Sequence, residues 1–291
     1  RLIFKFFLLA ICLFQSITFS LGTSFLLYPQ SAYELALGSH PSLGGSESVN
    51  PSLIKQKNAS PIFYMNSGSW LGDISLTGLN YVHKVGSYDN RLFLRQADVS
   101  DLEFRGDSPS DEPISKFSAY AFQLGSGISR ANRFGNFGIM FSYLSMGIYD
   151  QHANGFLFDI GYSKSLDNGF GMGFAILNLG SMSSLYKQRP KLPTMISAGI
   201  SKYLELSNLK NKIYLTAESS TKISPTKFKL GTDLFWGSFH FLTGYSMTKH
   251  DTEFSIGGGF SYGRLGIMYA TKIGTQEIGE PKILSIIYTI L

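Results

Sequence analysis

Phe156-Leu157-Phe158-Asp159-Ile160-Gly161-Tyr162-Ser163 is followed, across Asp167-Asn168-Gly169, by Phe170-Gly171-Met172-Gly173-Phe174-Ala175-Ile176. In both runs a large apolar side chain takes every second position, which is the period of a strand. Asp-Asn-Gly between them is a tight hairpin signal. The pattern repeats elsewhere. Phe137, Ile139, Phe141 and Tyr143 alternate with Gly138, Met140 and Ser142. Phe254, Ile256, Gly258 and Phe260 alternate with Ser255, Gly257 and Gly259, and Leu265, Ile267 and Tyr269 with Gly266, Met268 and Ala270.

A soluble sheet also alternates, so the second face decides. Water-facing strands carry Lys and Glu. Here the small face carries Gly and Ser, and only 15% of the 291 residues are charged against 14% aromatic. About 25% charge is usual for a soluble domain. A strand that turns its bulky side to lipid and its small side to a lumen inverts the usual need. The runs are about ten residues long, the length a tilted strand needs to cross a bilayer. Lipid offers no partner to free backbone groups, so the sheet must close. The fold expected is all-β: a transmembrane antiparallel β-barrel of about 14 strands, with twelve and sixteen as the neighbouring counts. Strand centres fall near 64, 77, 93, 122, 140, 159, 174, 200, 215, 231, 242, 257, 268 and 286. Gly237-Ser238 and Tyr262-Gly263 read as short turns, and Ser100–Pro113 and Met182–Pro193 as longer polar loops.

Three segments follow. Residues 1–22 read as a signal peptide: Arg1 and Lys5 precede an apolar core from Phe6 to Phe14, and Thr18-Phe19-Ser20 offers small residues for cleavage. Cys12, the single cysteine, lies inside that leader, so no disulfide is expected. Residues 23–58 do not alternate. Pro29 precedes a short stretch with Ala32, Leu35 and Ala36 at helical spacing, and Gly38 ends it. This segment reads as a plug in the lumen, the other reading being a periplasmic tail. Residues 59–291 make the barrel.

Parity assigns the inner face. With Phe156, Phe158 and Phe174 toward lipid, Asp159 points inward, and so do Arg95, Glu218, Lys229 and Asp233. A charge facing lipid at the midplane costs a few kcal/mol. These residues either line a channel, anchor the plug or form an internal salt-bridge network, with Glu34 and Asn50 as plug-side partners.

Catalytic and metal signals are weak. His40, His83, His152, His240 and His250 form no metal-binding spacing. Ser238 and His240 share a face, but two unrelated polar residues beside a turn explain them better than a nucleophile and base. No enzyme activity and no cofactor is expected. A net charge of +5 is too mild to argue for nucleic acid.

Ser31-Ala32-Tyr33-Glu34-Leu35-Ala36-Leu37-Gly38, followed by Asn50-Pro51-Ser52-Leu53, resembles the opening of the PorV/PorQ family of outer-membrane barrels, which is similar in fold to FadL-type fatty-acid channels. Trp70-Leu71-Gly72-Asp73-Ile74 resembles an early strand of PorQ-type members, and Leu157-Phe158-Asp159-Ile160-Gly161 their mid-barrel strand. Asn178-Leu179-Gly180, then Leu192-Pro193, then Ser197–Lys202, resembles the family's loop and returning strand. Tyr33 and Ser52 stand where the family more often has Arg and Ala. The resemblance spans roughly residues 25 to 205. It implies a fourteen-stranded barrel with a luminal N-terminal segment in a Gram-negative outer membrane. It also implies a non-enzymatic part in type IX protein secretion, binding or handing over cargo with other secretion-machinery components. A FadL-like channel for hydrophobic small molecules is the alternative, and a soluble secreted β-protein a third reading.

Overall fold

Each alternating run forms a strand. The computed structural model describes residues 22–40, 42–44, 49–56, 60–105, 112–206, 208–222, 226–274 and 279–290; the expected leader, up to Leu21, lies outside them. The strands are β1 (Ile62–Trp70), β2 (Ile74–Val85), β3 (Tyr88–Phe104), β4 (Ser115–Asn132), β5 (Gly135–Ile148), β6 (Gln151–Ser165), β7 (Phe170–Met182), β8 (Met195–Leu206), β9 (Leu209–Ser220), β10 (Lys227–Trp236), β11 (Phe239–Met247), β12 (Thr252–Tyr262), β13 (Leu265–Gly274) and β14 (Lys282–Thr289). Every strand pairs antiparallel with its sequence neighbours, and β1 pairs β14, with Ile62 opposite Thr289 and Ser69 opposite Lys282. The result is a closed 14-strand barrel with no free edge, as lipid requires. No helix among the described residues is long and apolar enough to cross a membrane.

The bulky rows face outward. Phe141, Phe156 and Leu230 are each more than half exposed, while Met140, Leu157 and Met268, on the opposite faces of their strands, are buried. Aromatic rings gather on the outer surface near one end: Phe239 packs against Phe260 at 5.1 Å, and Trp236 and Tyr262 flank them. Such a band suits the boundary between hydrocarbon and headgroups. Phe141 sits midway along β5 with its ring outward. Phe141→Arg places a charge at the hydrocarbon midplane and is expected to destabilise the barrel by about 2–4 kcal/mol, read as a lower denaturant midpoint in phospholipid vesicles. An unchanged midpoint means that this face does not meet lipid.

The two ends differ. One carries short connections at 86–87, 133–134, 237–238 and 263–264; the other carries the longer ones at 105–114 and 183–194. Two boundaries depart from the sequence reading. β3 continues through Phe104, so Ser100–Phe104 belongs to the strand rather than a loop, with a bulge between Val99 and Leu102 that Asp101 accommodates at φ 58°. The β12–β13 turn falls on Gly263-Arg264, one residue later than expected.

A second bulge interrupts β6 and β7. Register shifts between Phe158 and Ile160, Asn178 takes φ 60°, and its backbone N–H donates to Asp159 Oδ1 at 2.6 Å. The Asp159 carboxylate thus replaces a missing ladder acceptor.

Candidate functional site

The lumen is built from inward side chains and from the described residues between 22 and 56. That segment holds three short helical pieces: single 3₁₀ turns at Thr23–Leu27 and Pro51–Leu53, and α1 (Ala32–Ala36) between them. Ser31 caps α1 by accepting from the Glu34 backbone N–H at 3.2 Å, and Gly38, at φ 74°, releases the chain from it. Asn50 caps the last turn in the same way, accepting from Ser52 N–H at 3.0 Å ahead of Pro51.

From these pieces the segment runs one circuit of the inner wall. It starts on β3, where the Arg95 guanidinium covers the Phe25 ring at 4.4 Å and donates to Tyr28 O. Gln30 accepts from Arg91 on the same strand. Ala32 N–H donates to Ser285 of β14, and Ala36 O accepts from Ser255 of β12. Ser39 O accepts from Lys229 of β10 at 2.7 Å, and His40 meets Thr216 of β9 at 2.8 Å. Ile54 O accepts from Ser129 of β4, and Gln56 N–H reaches Asp89, back on β3. Asp89 lies six positions from Arg95, so the chain descends about 20 Å toward the tight-turn end during the circuit.

Glycines make room for that path. A Cβ on Gly138 would stand 2.3 Å from the Pro51 backbone, and one on Gly173 would stand 2.0 Å from Ser42 O. On Gly244 it would meet the Leu37 and Gly38 backbone at 2.3 Å. These glycines lie on β5, β7 and β11, each on the inner face.

The seven residues singled out from sequence are all buried: Glu34, Asn50, Arg95, Asp159, Glu218, Lys229 and Asp233. Arg95 and Lys229 reach the N-terminal segment, and both charges bear on Glu34. Glu34 takes its hydrogen bonds from its own segment, accepting from Gln30 N–H at 2.7 Å and Ser39 Oγ at 3.2 Å. Arg95 donates to Gln123 at 2.6 Å as well as to Tyr28 O. Lys229 pairs with Glu218 at 2.7 Å while also holding Ser39. Asp233 accepts from the Tyr33 hydroxyl at 2.8 Å, and Tyr33 also meets Tyr214 at 2.9 Å. Asn50 donates to Ser42 O at 3.0 Å. Burial, with Lys229 nearby, holds the His40 imidazole down at about 3, so it is neutral.

Tyr33→Phe removes the hydroxyl that Asp233 accepts from and leaves a buried carboxylate short of a donor. The expected cost is about 1.5–3 kcal/mol, visible as a lower unfolding midpoint with the barrel still formed. No change would mean that His240, whose Nδ1 lies 3.8 Å from Asp233, takes over the contact.

One cluster was not singled out from sequence. Glu253 of β12 is bridged by Lys227 of β10 at 2.5 Å and Lys272 of β13 at 2.6 Å. Its members come from three strands and lie 26 and 19 positions apart, so no local motif marks them. Only the inward parity of the strands finds them.

Among the cavities beside the circuit, two lie on opposite sides of α1. The one toward the longer loops has a volume of about 220 Å³ and is lined by Leu26, Tyr28, Leu35 and Trp70 and by the Lys227–Glu253–Lys272 cluster. The one toward the tight turns has a volume of about 370 Å³ and is lined by Tyr33, Tyr64, Phe235 and His240. α1 lies between them, sending Tyr33 into one and Glu34 and Leu35 into the other. Among the described residues no group of three or more His, Cys, Asp or Glu is placed to hold a metal ion.

Fold and lumen define a closed transmembrane barrel of the outer-membrane type with a narrowed interior. Among solved structures it is similar to the CymD monoaromatic hydrocarbon channel (TM-score 0.62, 10% identity, covering 89% of this chain and 96% of that one). It is also similar to the toluene transporter TodX of P. putida (TM-score 0.61, 10% identity, covering 89% and 98%). At such identity the likeness is one of fold. No family model matches the chain, and no curated protein matches it.

Proposed function

We propose that this protein is an outer-membrane channel for small hydrophobic and amphipathic molecules, with residues 1–22 as its export signal, 23–58 as a luminal plug and 59–291 as the barrel. The observation that carries this reading is the pair of cavities on either side of α1, each with aromatic and aliphatic lining. A solute has a place to rest above the plug and another below it. The fold shared with a monoaromatic hydrocarbon channel and a toluene transporter supports the same reading. In outer-membrane barrels tight turns face the periplasm, so the 220 Å³ cavity faces outside. No catalytic activity is part of the proposal.

The test is uptake of labelled toluene by vesicles with a lipopolysaccharide outer leaflet, with and without the purified protein. Faster uptake through the protein is expected. Equal rates would overturn the channel.

The PorV/PorQ resemblance carries a second reading, a type IX secretion barrel that binds or hands over cargo at the cell surface. Its opening motifs, Ser31–Gly38 and Asn50–Leu53, form the caps and turns of the luminal segment. They bear on the plug rather than on a cargo surface, so the channel reading is favoured. Loss of cargo secretion on deleting the gene, with toluene uptake unaltered, would reverse that order.

A further inference from the structure

The outward cavity has two unlike kinds of lining. In one, Tyr28 stacks on Trp70 at 4.7 Å with the planes 23° apart, and Leu26 and Leu35 continue the apolar surface. Six ionisable side chains share the lining, and they do not contribute equally. Lys229 and Glu218 neutralise each other and are almost completely buried, at 5% and 7% exposure. Glu34 is held by Gln30 N–H and Ser39 Oγ, with Arg95 nearby. That leaves the Lys227–Glu253–Lys272 cluster, whose members are 16%, 27% and 17% exposed. Two ammonium groups share one carboxylate, so the cluster carries one positive charge more than its own members balance. Ser246 donates to Glu253 Oε2 at 2.8 Å and occupies part of the same carboxylate.

The cation and the aromatic lining touch. Lys272 Nζ lies over the Trp70 ring, 5.1 Å from its centroid. Tyr28 and Lys272 thus both meet the Trp70 ring, and the stacked aromatic pair borders directly on a surplus ammonium charge. A plain hydrocarbon would fill the apolar side and leave that charge with no new partner. An amine would be repelled by it. A molecule with an aromatic body and one anionic head satisfies both parts of the lining: the ring packs against Leu26, Leu35 and the exposed edges of the Tyr28–Trp70 pair, and the head accepts charge-assisted hydrogen bonds from Lys272 and Lys227. The volume of about 220 Å³ is below the range of about 300–1,000 Å³ that holds drug-sized ligands, which points to a single ring rather than a long chain.

We infer that the outward cavity is a binding site for small aromatic monocarboxylates, with Lys272 and Lys227 receiving the carboxylate and Trp70 and Tyr28 the ring. This rests on the channel reading for its biological sense, but not for its test. The chain has two tryptophans, and Trp236 is on the lipid face, so Trp236→Phe leaves Trp70 as the reporter. The full barrel in detergent is titrated with benzoate, toluene and benzylamine while Trp70 emission is followed. Benzoate is expected to saturate the signal at least about tenfold more tightly than benzylamine, and Lys272→Met to weaken benzoate by about tenfold or more. Lys272→Arg, which keeps the charge, is expected to stay within about threefold of the parent. If Lys272→Met does not fold, Lys227→Met makes the same test from another strand. Benzoate binding no tighter than benzylamine, or indifferent to both lysine substitutions, would overturn the site. Toluene passage without benzoate binding would leave the channel and remove this site; benzoate binding without toluene passage would do the opposite.

Discussion

A barrel lacking residues 23–56 is expected to conduct ions in planar bilayers at least about tenfold better than the intact protein, because a barrel of this size is too wide for its inward side chains alone to fill. The reasoning starts from what that segment touches. It contacts strands around the whole inner wall, from Arg95 through Ser285, Ser255, Lys229 and Thr216 to Ser129 and Asp89. Its own apolar residues, Phe25, Leu26, Leu35 and Leu37, form one buried cluster with inward Leu144, Leu157, Leu242 and Met268. Removal strips that cluster of seven of its 23 buried members and opens water to Arg91, Arg95, Lys229 and Asp233, which are polar enough to wet a pore. The strand ladder itself needs nothing from the segment, so the barrel should still assemble and resist denaturant, though less well. A deletion that assembles but conducts no more than the parent would show that the inward side chains close the lumen by themselves. The milder variant Gly138→Val addresses the same point. Its side chain meets Pro51 backbone, which has no flexible end to move aside. Overpacking of this kind costs about 1–3 kcal/mol, and here the segment rather than the wall should yield, so faster proteolysis near residue 50 is expected.

How far the sequence shows this depends on which groups speak for themselves. The wall was legible. Phe156, Phe158, Ile160, Phe170, Met172 and Phe174 announce a lipid face through size and period alone, and each strand centre read from sequence falls inside one of the fourteen strands. Closure followed from backbone hydrogen bonding rather than from any residue. The circuit of residues 22–56 was not legible, because its path is written in glycines. Gly138, Gly173 and Gly244 look like the small side of an alternating strand whether a chain lies against them or water does. Asp159 was legible as inward but not as a strand acceptor, since a bulge depends on the neighbouring strand's Asn178, 19 positions away. The Lys227–Glu253–Lys272 cluster needs register across four strands before its members meet.

Lys229→Met should be the most damaging single substitution in the lumen, and its repair should be the more informative measurement. Lys229 and Glu218 sit 2.7 Å apart with almost no solvent contact. Removing one member of such a pair strands the other charge, and the usual cost is about 3–5 kcal/mol. Changing both, as Lys229→Met with Glu218→Leu, replaces the pair by apolar volume, which is often neutral in proteins. The double variant is therefore expected to recover most of the loss in equilibrium unfolding by guanidinium in detergent micelles. Recovery should stop short by about 1 kcal/mol, because Lys229 also donates to Ser39 O and that carbonyl finds no substitute in methionine. The shortfall measures how firmly β10 holds the luminal segment, separately from how the two charges hold each other. A Lys229→Met loss below about 1 kcal/mol would mean that water reaches Glu218 and that the pair is a solvated one. Full recovery in the double variant would mean that the Ser39 contact contributes nothing, and that the segment is held on this side by Asp233 and Tyr33 instead.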